Sequence, residues 1–134
     1  MITSKIEYLG NLRTKNEHVQ SGNKLITDAP TDNHGKGEAF SPTDLMSTSL
    51  VNCIFTIMGI KSDEAGFSIK GAKAEMEKIM AANPRRVAEI KINFDFSMLE
   101  LNEQQKSLIE SIPAISPVAL SLHPDVKQTV NLQF

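Results

Sequence analysis

The stretch Ser41-Pro42-Thr43-Asp44 constrains the fold more than any other part of the chain, because it marks where a helix begins. Ser41 suits the N-cap, proline is favoured at the first helical position, and Asp44 can complete a capping box near the positive helix end. The helix is predicted to run to about Met58. Its apolar residues cover most of the circumference, so we expect burial on several sides. They are Leu45, Met46, Leu50, Val51, Ile54, Phe55, Ile57 and Met58.

Strand patterns lie on both sides of this helix. Residues 88–98 give the clearest one, because apolar residues occupy the even-numbered positions of a half-buried strand. An N-terminal meander is predicted, with turns at Gly10-Asn11 and Ser21-Gly22-Asn23. The other predicted strands are 3–9, 12–20, 24–27, 67–80 and 126–134. The intervening segment 28–40 mixes Pro, Gly, Asp and Asn without periodicity, which is typical of an irregular surface loop.

Two shorter helices are predicted in the C-terminal half. Asn102 and Gln105 suit the capping box of a helix that Pro113 stops. Ser116-Pro117 repeats the Ser-Pro start and introduces a helix over 118–122. This order of elements predicts an α+β fold, with an antiparallel sheet packed on a long buried central helix. With no internal repeat or long linker, residues 1–134 are predicted to form one domain.

Charge and composition narrow the function. A formal charge of -2 gives no large basic field for a phosphate backbone, so nucleic acid is not expected as a partner. The first twenty residues lack the apolar core of a signal peptide, and no stretch approaches the roughly 20 uninterrupted apolar residues of a membrane helix. We therefore expect a cytoplasmic protein. His18 and His123 show no ligand spacing and Gly35-Lys36-Gly37 does not match a phosphate loop, so neither a metal nor a nucleotide cofactor is predicted.

Cys53 is the single cysteine, and it falls within the predicted long helix. Free cysteines are often buried and inert, and burial among apolar side chains disfavours the reactive thiolate. Cys53 lies about 18 Å along the helix from Ser41, at 1.5 Å per residue, so the dipole of its own helix reaches it weakly. A nucleophilic role would need a cation from another segment. The residues alone therefore leave open a packed residue and a nucleophile.

The pattern Gly-x-Gly-Glu-x-Phe-Ser-Pro-Thr-Asp-Leu, followed by an apolar helix and a cysteine, extends here from Gly35 to Cys53. It resembles the OsmC/Ohr family of thiol-dependent hydroperoxide reductases. Three further segments, Thr27-Asp28-Ala29-Pro30, Thr56-Ile57-Met58-Gly59 and Pro84-Arg85-Arg86, strengthen the match to the OsmC-like branch.

The resemblance implies an intertwined homodimer with active sites at the subunit interface. It also implies that Cys53 attacks a peroxide and becomes a sulfenic acid. The second, resolving cysteine of the family's peroxidases corresponds to Ser116, which cannot form a disulfide. The resemblance therefore implies, for any peroxidase activity, a one-cysteine cycle with an external thiol reductant.

The family's catalytic arginine is best matched by Arg13 on the N-terminal hairpin. A guanidinium could hold the thiolate and polarise the leaving oxygen, although a solvated surface cation is the alternative interpretation. The glutamate of the Ohr branch corresponds to Thr43, next to Asp44. Asp44 lies on the opposite side of the helix from Cys53, so helix capping suits it better. Glu38, in the preceding loop, is a substitute for that glutamate.

The sequence is thus predicted to belong to a redox protein that reduces organic hydroperoxides through Cys53, with Arg13 in support. The alternative is a family member without peroxidase activity that binds a small apolar or electrophilic ligand at the dimer interface. A third hypothesis pairs Cys53 with His34 for acyl transfer through a thioester.

Overall fold

The computed structural model describes all residues, Met1–Phe134, and divides into two compact units, Met1–Met46 and Ser47–Phe134. One long helix, α1, spans Pro42–Glu64, so it begins in the first unit and continues in the second. The mixed arrangement of strands and helices confirms the α+β class. The prediction of a single domain over 1–134 stays a prediction.

The first unit contains the predicted meander. It has three antiparallel strands in the order β1, β2, β3, which are Ser4–Gly10, Arg13–His18 and Lys24–Asp28. The turn between the first two strands places Asn11 and Leu12 at positive φ, 54° and 63°. The predicted loop that follows is irregular apart from one 3-10 turn at Thr31–Asn33.

The start of α1 follows the sequence prediction. The Ser41 hydroxyl accepts a hydrogen bond from the Asp44 amide at 3.0 Å, and the Asp44 carboxylate accepts one from the Ser41 amide at 2.9 Å. These reciprocal bonds form the predicted capping box. The helix continues past the predicted end at Met58 and through Gly59 to Glu64. Gly66, at φ +82°, follows the helix in the conformation typical of a C-terminal stop.

Burial along α1 differs from the prediction. The buried residues form one stripe rather than several buried sides, because within the chain one face of the helix is covered. The stripe consists of Ser47, Leu50, Val51, Ile54, Met58 and Ser62. Ile60, outside the stripe, is 48% exposed. By length and composition α1 could cross a membrane, a criterion that core helices of globular proteins also meet.

The second unit contains a three-stranded sheet formed by β4 (Lys73–Ala81), β5 (Arg86–Asp95) and β6 (Lys127–Gln133). The pair β4–β5 is antiparallel, but β6 runs parallel to β5, so the sheet is mixed rather than purely antiparallel. A parallel neighbour requires a crossover connection. Here the connection contains α2 (Glu103–Glu110) and α3 (Pro117–Ser121). Asn102 and Gln105 form the predicted capping box of α2.

The core of the second unit lies between one face of this sheet and the helices. The alternation predicted over 88–98 is confirmed at Ile90, Ile92, Phe94 and Phe96, which are at most 1% exposed. Phe55 of α1 packs edge-on against Phe94, with ring centroids 4.8 Å apart. The strand predicted over 67–80 begins only at Lys73, and Met98 lies outside β5 and is 46% exposed.

Candidate functional site

Arg13 is the first residue of β2, directly after the tight turn at Asn11 and Leu12. The backbone pairs Arg13 with Asp28, the last residue of β3. The carbonyl of Leu12 accepts a hydrogen bond from the Ala29 amide at 3.2 Å. Backbone pairing therefore connects the hairpin turn to the end of β3 on both sides of the Arg13–Asp28 pair.

The guanidinium of Arg13 lies between two carboxylates. Its Nη2 donates to Glu38 Oε2 at 2.7 Å and to Asp28 Oδ2 at 3.4 Å. The Arg13 side chain is 33% exposed, whereas the Asp28 side chain is 1% exposed and that of Glu38 is 57% exposed. We call Arg13, Asp28 and Glu38 the Arg13 cluster. It groups two residues predicted for the site, Arg13 and Glu38, with one that was not predicted.

The loop that carries Glu38 is folded tightly against the end of β3. The carbonyl of Ala29 accepts from the Gly37 amide at 3.1 Å, and the carbonyl of Pro30 accepts from the Gly35 amide at 3.0 Å. A Cβ atom at Gly35 would lie 1.8 Å from the Ala29 oxygen, so only glycine fits there. Gly37 has a φ of +63°, which also favours glycine. The Gly-x-Gly-Glu motif therefore describes a compact loop that presents Glu38.

Asp28 is the functional candidate that the sequence analysis missed. Its Oδ2 accepts a hydrogen bond from the Glu38 amide at 3.1 Å in addition to the Arg13 contact. Donation by the Glu38 amide and then the proximity of Arg13 lower the pKa of Asp28 below its ordinary value of 3.8, against the effect of burial. Asp28 belongs to the quoted Thr27-Asp28-Ala29-Pro30 segment. That segment was the available signal, but it supports the family and not a role for the carboxylate.

Thr43 and Asp44, predicted as supporting residues, lie in the first turn of α1. Asp44 takes part in the capping box described above, which agrees with the expected capping role. The hydroxyls of Thr43 and Ser41 are 3.3 Å apart. These contacts account for both residues in the helix start and give no evidence of a catalytic role.

Cys53 is a free cysteine of intermediate exposure on α1. At 100° per residue, it lies roughly 130° around the helix from the middle of the buried stripe. It is therefore not part of the core of the chain, and the face that it occupies also carries Ile57 and the exposed Ile60. Arg13 belongs to the first unit and Cys53 to the second, so the action of Arg13 on Cys53 stays a prediction.

Ser116, at the position of the resolving cysteine, is fully buried and caps α3. Its hydroxyl accepts a hydrogen bond from the Ala119 amide at 3.1 Å. The predicted N-cap is confirmed, and Pro117 occupies the first turn. The serine preserves the helix start, but the chain has no second cysteine.

The histidines give little support for other chemistry. His34 is exposed and has a left-handed backbone at φ 68° after the 3-10 turn of the loop. His18 contacts the Ser21 hydroxyl, and His123 lies 3.7 Å from the Asp125 carboxylate. No cluster of three or more His, Cys, Asp or Glu side chains suitable for a metal ion is present.

The α+β architecture has counterparts among solved structures. The crystal structure of a "putative osmotic stress induced and detoxification response protein" from Psychrobacter arcticus 273-4 is 50% identical, with a TM-score of 0.94 over 99% of this chain and 96% of that chain. Two more distant proteins share the fold. OsmC of Legionella pneumophila, an organic hydroperoxide resistance protein, is 15% identical with a TM-score of 0.76 over 100% and 98% of the two chains. OhrB of Bacillus subtilis, also an organic hydroperoxide resistance protein, is 12% identical with a TM-score of 0.71 over 98% of each.

The family model of OsmC-like proteins matches residues 35–131, which include parts of both compact units. A comparison with curated protein sequences gave no match. The chain belongs to the OsmC/Ohr family, as the motif from Gly35 to Cys53 indicated.

Proposed function

We propose that this protein reduces organic hydroperoxides through Cys53 as a cytoplasmic homodimer, with an external thiol as reductant. Family membership supports the reaction class, since some structural neighbours are named organic hydroperoxide resistance proteins. The 50% identical relative is named for a detoxification response. The side chain of Cys53 is a free thiol outside the core of the chain, which is the exposure that a reactive cysteine needs.

The proposed cycle uses one protein sulfur. The Cys53 thiolate attacks the terminal oxygen of the hydroperoxide, an S–O bond forms, the O–O bond breaks, and the alkoxide leaves and takes up a proton. Cys53 is then a sulfenic acid. One external thiol condenses with it to a mixed disulfide and releases water. A second external thiol attacks that disulfide, which restores the Cys53 thiolate and yields the oxidised reductant.

The observation that carries the proposal is the ion pair between Arg13 and Glu38. The resemblance implies an arginine on the hairpin together with a glutamate, but Thr43 occupies the expected glutamate position. The structure gives Arg13 a carboxylate partner from the preceding loop instead, at 2.7 Å. In the proposed site Glu38 pairs with Arg13, and the guanidinium stabilises the Cys53 thiolate and the negative charge that develops on the leaving oxygen.

Ser116 explains the requirement for an external thiol. A hydroxyl cannot condense with a sulfenic acid to a disulfide, and the Ser116 hydroxyl is already used to cap α3. The external reductant therefore replaces the missing second cysteine.

The proposed homodimer accounts for apolar surface that the single chain leaves open. Large apolar side chains are exposed on the first unit, including Ile6 at 61% and Tyr8 at 64%, and on the second unit Ile115 at 53% and Leu120 at 73%. Obligate dimers cover surfaces of this kind. Sedimentation equilibrium should give twice the chain mass of 14.8 kDa, and a monomeric mass at micromolar concentration would contradict the dimer.

The direct test is consumption of cumene hydroperoxide and of hydrogen peroxide with a dithiol, glutathione or a thioredoxin system as donor. The wild-type protein is compared with Cys53→Ser. We expect turnover with cumene hydroperoxide and its loss in the variant, together with a sulfenic acid or mixed disulfide on Cys53 by intact mass. Turnover that persists in Cys53→Ser would overturn the proposal.

The second candidate is the binding of a small apolar or electrophilic ligand at the dimer interface, with no peroxide turnover. The apolar residues Ile57 and Ile60 on the helix face that carries Cys53 and the serine at position 116 favour it. If neither protein consumes peroxide and Cys53 stays unmodified, this candidate takes precedence. Cleavage of an ester with an acyl adduct on Cys53 would instead support the hydrolase hypothesis with His34.

A further inference from the structure

Asp28 is the one charged side chain of the chain that is buried. A buried carboxylate costs free energy unless hydrogen bonds and a counter-charge compensate it. Here Arg13 and the Glu38 amide supply that compensation through one of the two oxygens. Oδ2 accepts from Arg13 and from the Glu38 amide, but Oδ1 is buried and makes no hydrogen bond. The compensation is therefore concentrated on the oxygen that faces Arg13 and Glu38.

The contacts of Asp28 reach both partners of the proposed catalytic pair. Oδ2 accepts hydrogen bonds from the Arg13 guanidinium and from the main-chain amide of Glu38. The same oxygen therefore fixes both the cation and the backbone of its partner. The backbone of Asp28 is fixed in turn. Asp28 pairs with Arg13 in the β2–β3 ladder, and the Asp28 amide donates to the Phe40 carbonyl at 3.1 Å.

Glu38 alone is poorly suited to hold Arg13 in one place. Its side chain is 57% exposed and lies on a loop, where an ion pair exchanges readily with water. Asp28 has the opposite properties, with a side chain that is 1% exposed on a strand with fixed register. The buried partner can set the position, and the exposed partner can adjust to it.

We propose that Asp28 is the positioning residue of the site: it holds the Arg13 guanidinium and the Glu38 backbone so that their ion pair is preorganised. This inference rests on the proposed function for its catalytic consequence. Its structural part, the fixation of Arg13 by Asp28, is measurable without any peroxide. Preorganised groups matter because a displacement of about 1 Å at a reacting centre can lower a rate roughly hundredfold.

The first experiment is a double-mutant cycle with Asp28→Asn and Arg13→Gln, followed by cumene hydroperoxide turnover. Asparagine keeps the shape and can still accept the Glu38 amide, but it lacks the charge that holds the guanidinium. We expect Asp28→Asn to lower kcat about tenfold with little change in KM, and to have no further effect in the Arg13→Gln background. Asp95→Asn is the matched control, because Asp95 also accepts a backbone amide, from Ser97 at 2.8 Å, without an arginine partner.

Unchanged kcat in Asp28→Asn would overturn the inference. So would an equal loss in the presence and absence of Arg13, since Asp28 would then act independently of the guanidinium. An equal loss in Asp95→Asn would point to general destabilisation and would also count against it.

A second measurement separates this inference from the proposed function and uses the wild-type protein. Nuclear magnetic resonance of the Arg13 guanidinium should show hindered rotation, because Nη2 donates to both carboxylates, and the hindrance should decrease in Asp28→Asn. If the wild-type protein lacks peroxide turnover but shows this behaviour, the function fails while the positioning role holds. A freely rotating guanidinium in the wild type would overturn the positioning role, even if Asp28→Asn does not fold.

Discussion

The two compact units are built in opposite ways. All eleven buried apolar residues belong to the second unit, whereas the buried residues of the first unit are Thr27, Asp28 and Ser41, which are all polar. Ten of the fourteen exposed large apolar side chains lie in the first unit. The second unit is therefore stabilised by a hydrophobic core, and the first by backbone pairing, a compact loop and the Arg13 cluster. A three-stranded sheet without a covered apolar face is marginal alone, which is a further reason to expect that a second subunit covers it.

The largest effect on stability should come from the core of the second unit. Phe94 is 1% exposed and contacts Phe55 at 4.8 Å and Phe96 at 6.1 Å between ring centroids. Phe94→Ala should lower the free energy of unfolding by about 3–5 kcal/mol, because it removes a large buried ring and leaves a cavity. Urea denaturation measures the loss.

Phe40→Ala is the matched control in the first unit, where the ring is 47% exposed. We expect it to cost about 1 kcal/mol or less. Equal losses in the two variants would contradict the comparison, since Phe40 would then be as well covered in solution as Phe94.

The largest effect on turnover should come from the first unit, although the sulfur lies in the second. Arg13→Gln should lower kcat/KM for cumene hydroperoxide about hundredfold, because the guanidinium is proposed to stabilise charge on the sulfur and the leaving oxygen. Lys15→Gln, two residues along the same strand face, should retain activity. Unaltered turnover in Arg13→Gln would leave Arg13 as a structural cation of its own unit.

Much of the fold could be predicted from local signals. Ser41 with Asp44 and Asn102 with Gln105 are capping boxes, and such patterns depend on residues three apart in sequence. The alternation through Ile90, Ile92 and Phe94 reflects one buried sheet face in the same way. The parallel direction of β6 was missed, because an alternating pattern looks the same in either direction of the strand.

The Arg13 cluster shows why the site was predicted only in part. Arg13 and Glu38 were named through the family resemblance, and their ion pair joins residues 25 apart in sequence. Asp28 was not named, because its importance depends on strand register and on a loop that brings the Glu38 amide back to the end of β3. Those are long-range properties that periodicity does not contain. The one-sided burial of α1 could likewise not be predicted, because the apolar residues of the sequence are distributed around most of the helix circumference.

A cysteine at position 116 would test whether this position of the second unit can resolve a sulfenic acid on Cys53. Ser116→Cys should cost about 1 kcal/mol of stability, because the N-cap of α3 loses its hydroxyl. If Cys53 forms a sulfenic acid, the new thiol should condense with it, and the oxidised protein should have two fewer hydrogens by intact mass with no free thiol. The variant Ser111→Cys, at the exposed end of α2, is the control that should leave Cys53 free. Over-oxidation of Cys53 in Ser116→Cys, without a disulfide, would argue against the resolving position.

The smallest effect concerns the ionisation of Asp28. It separates the effect of the Glu38 backbone amide on the Asp28 carboxylate from the effect of the Arg13 side chain. The Glu38 amide is the largest cause that lowers the pKa of Asp28, ahead of Arg13. The ionised Asp28 side chain therefore contributes its full stabilisation above the unfolded-state pKa of about 3.9. This stabilisation is lost as pH falls through the lower folded-state pKa. Carboxyl carbon titration by nuclear magnetic resonance should show an Asp28 midpoint below 3.8 in the wild type. In Arg13→Gln the midpoint should rise but stay below that value, because the amide still donates. A midpoint restored fully to the ordinary value would mean that the guanidinium, and not the Glu38 amide, is what lowers the pKa of Asp28.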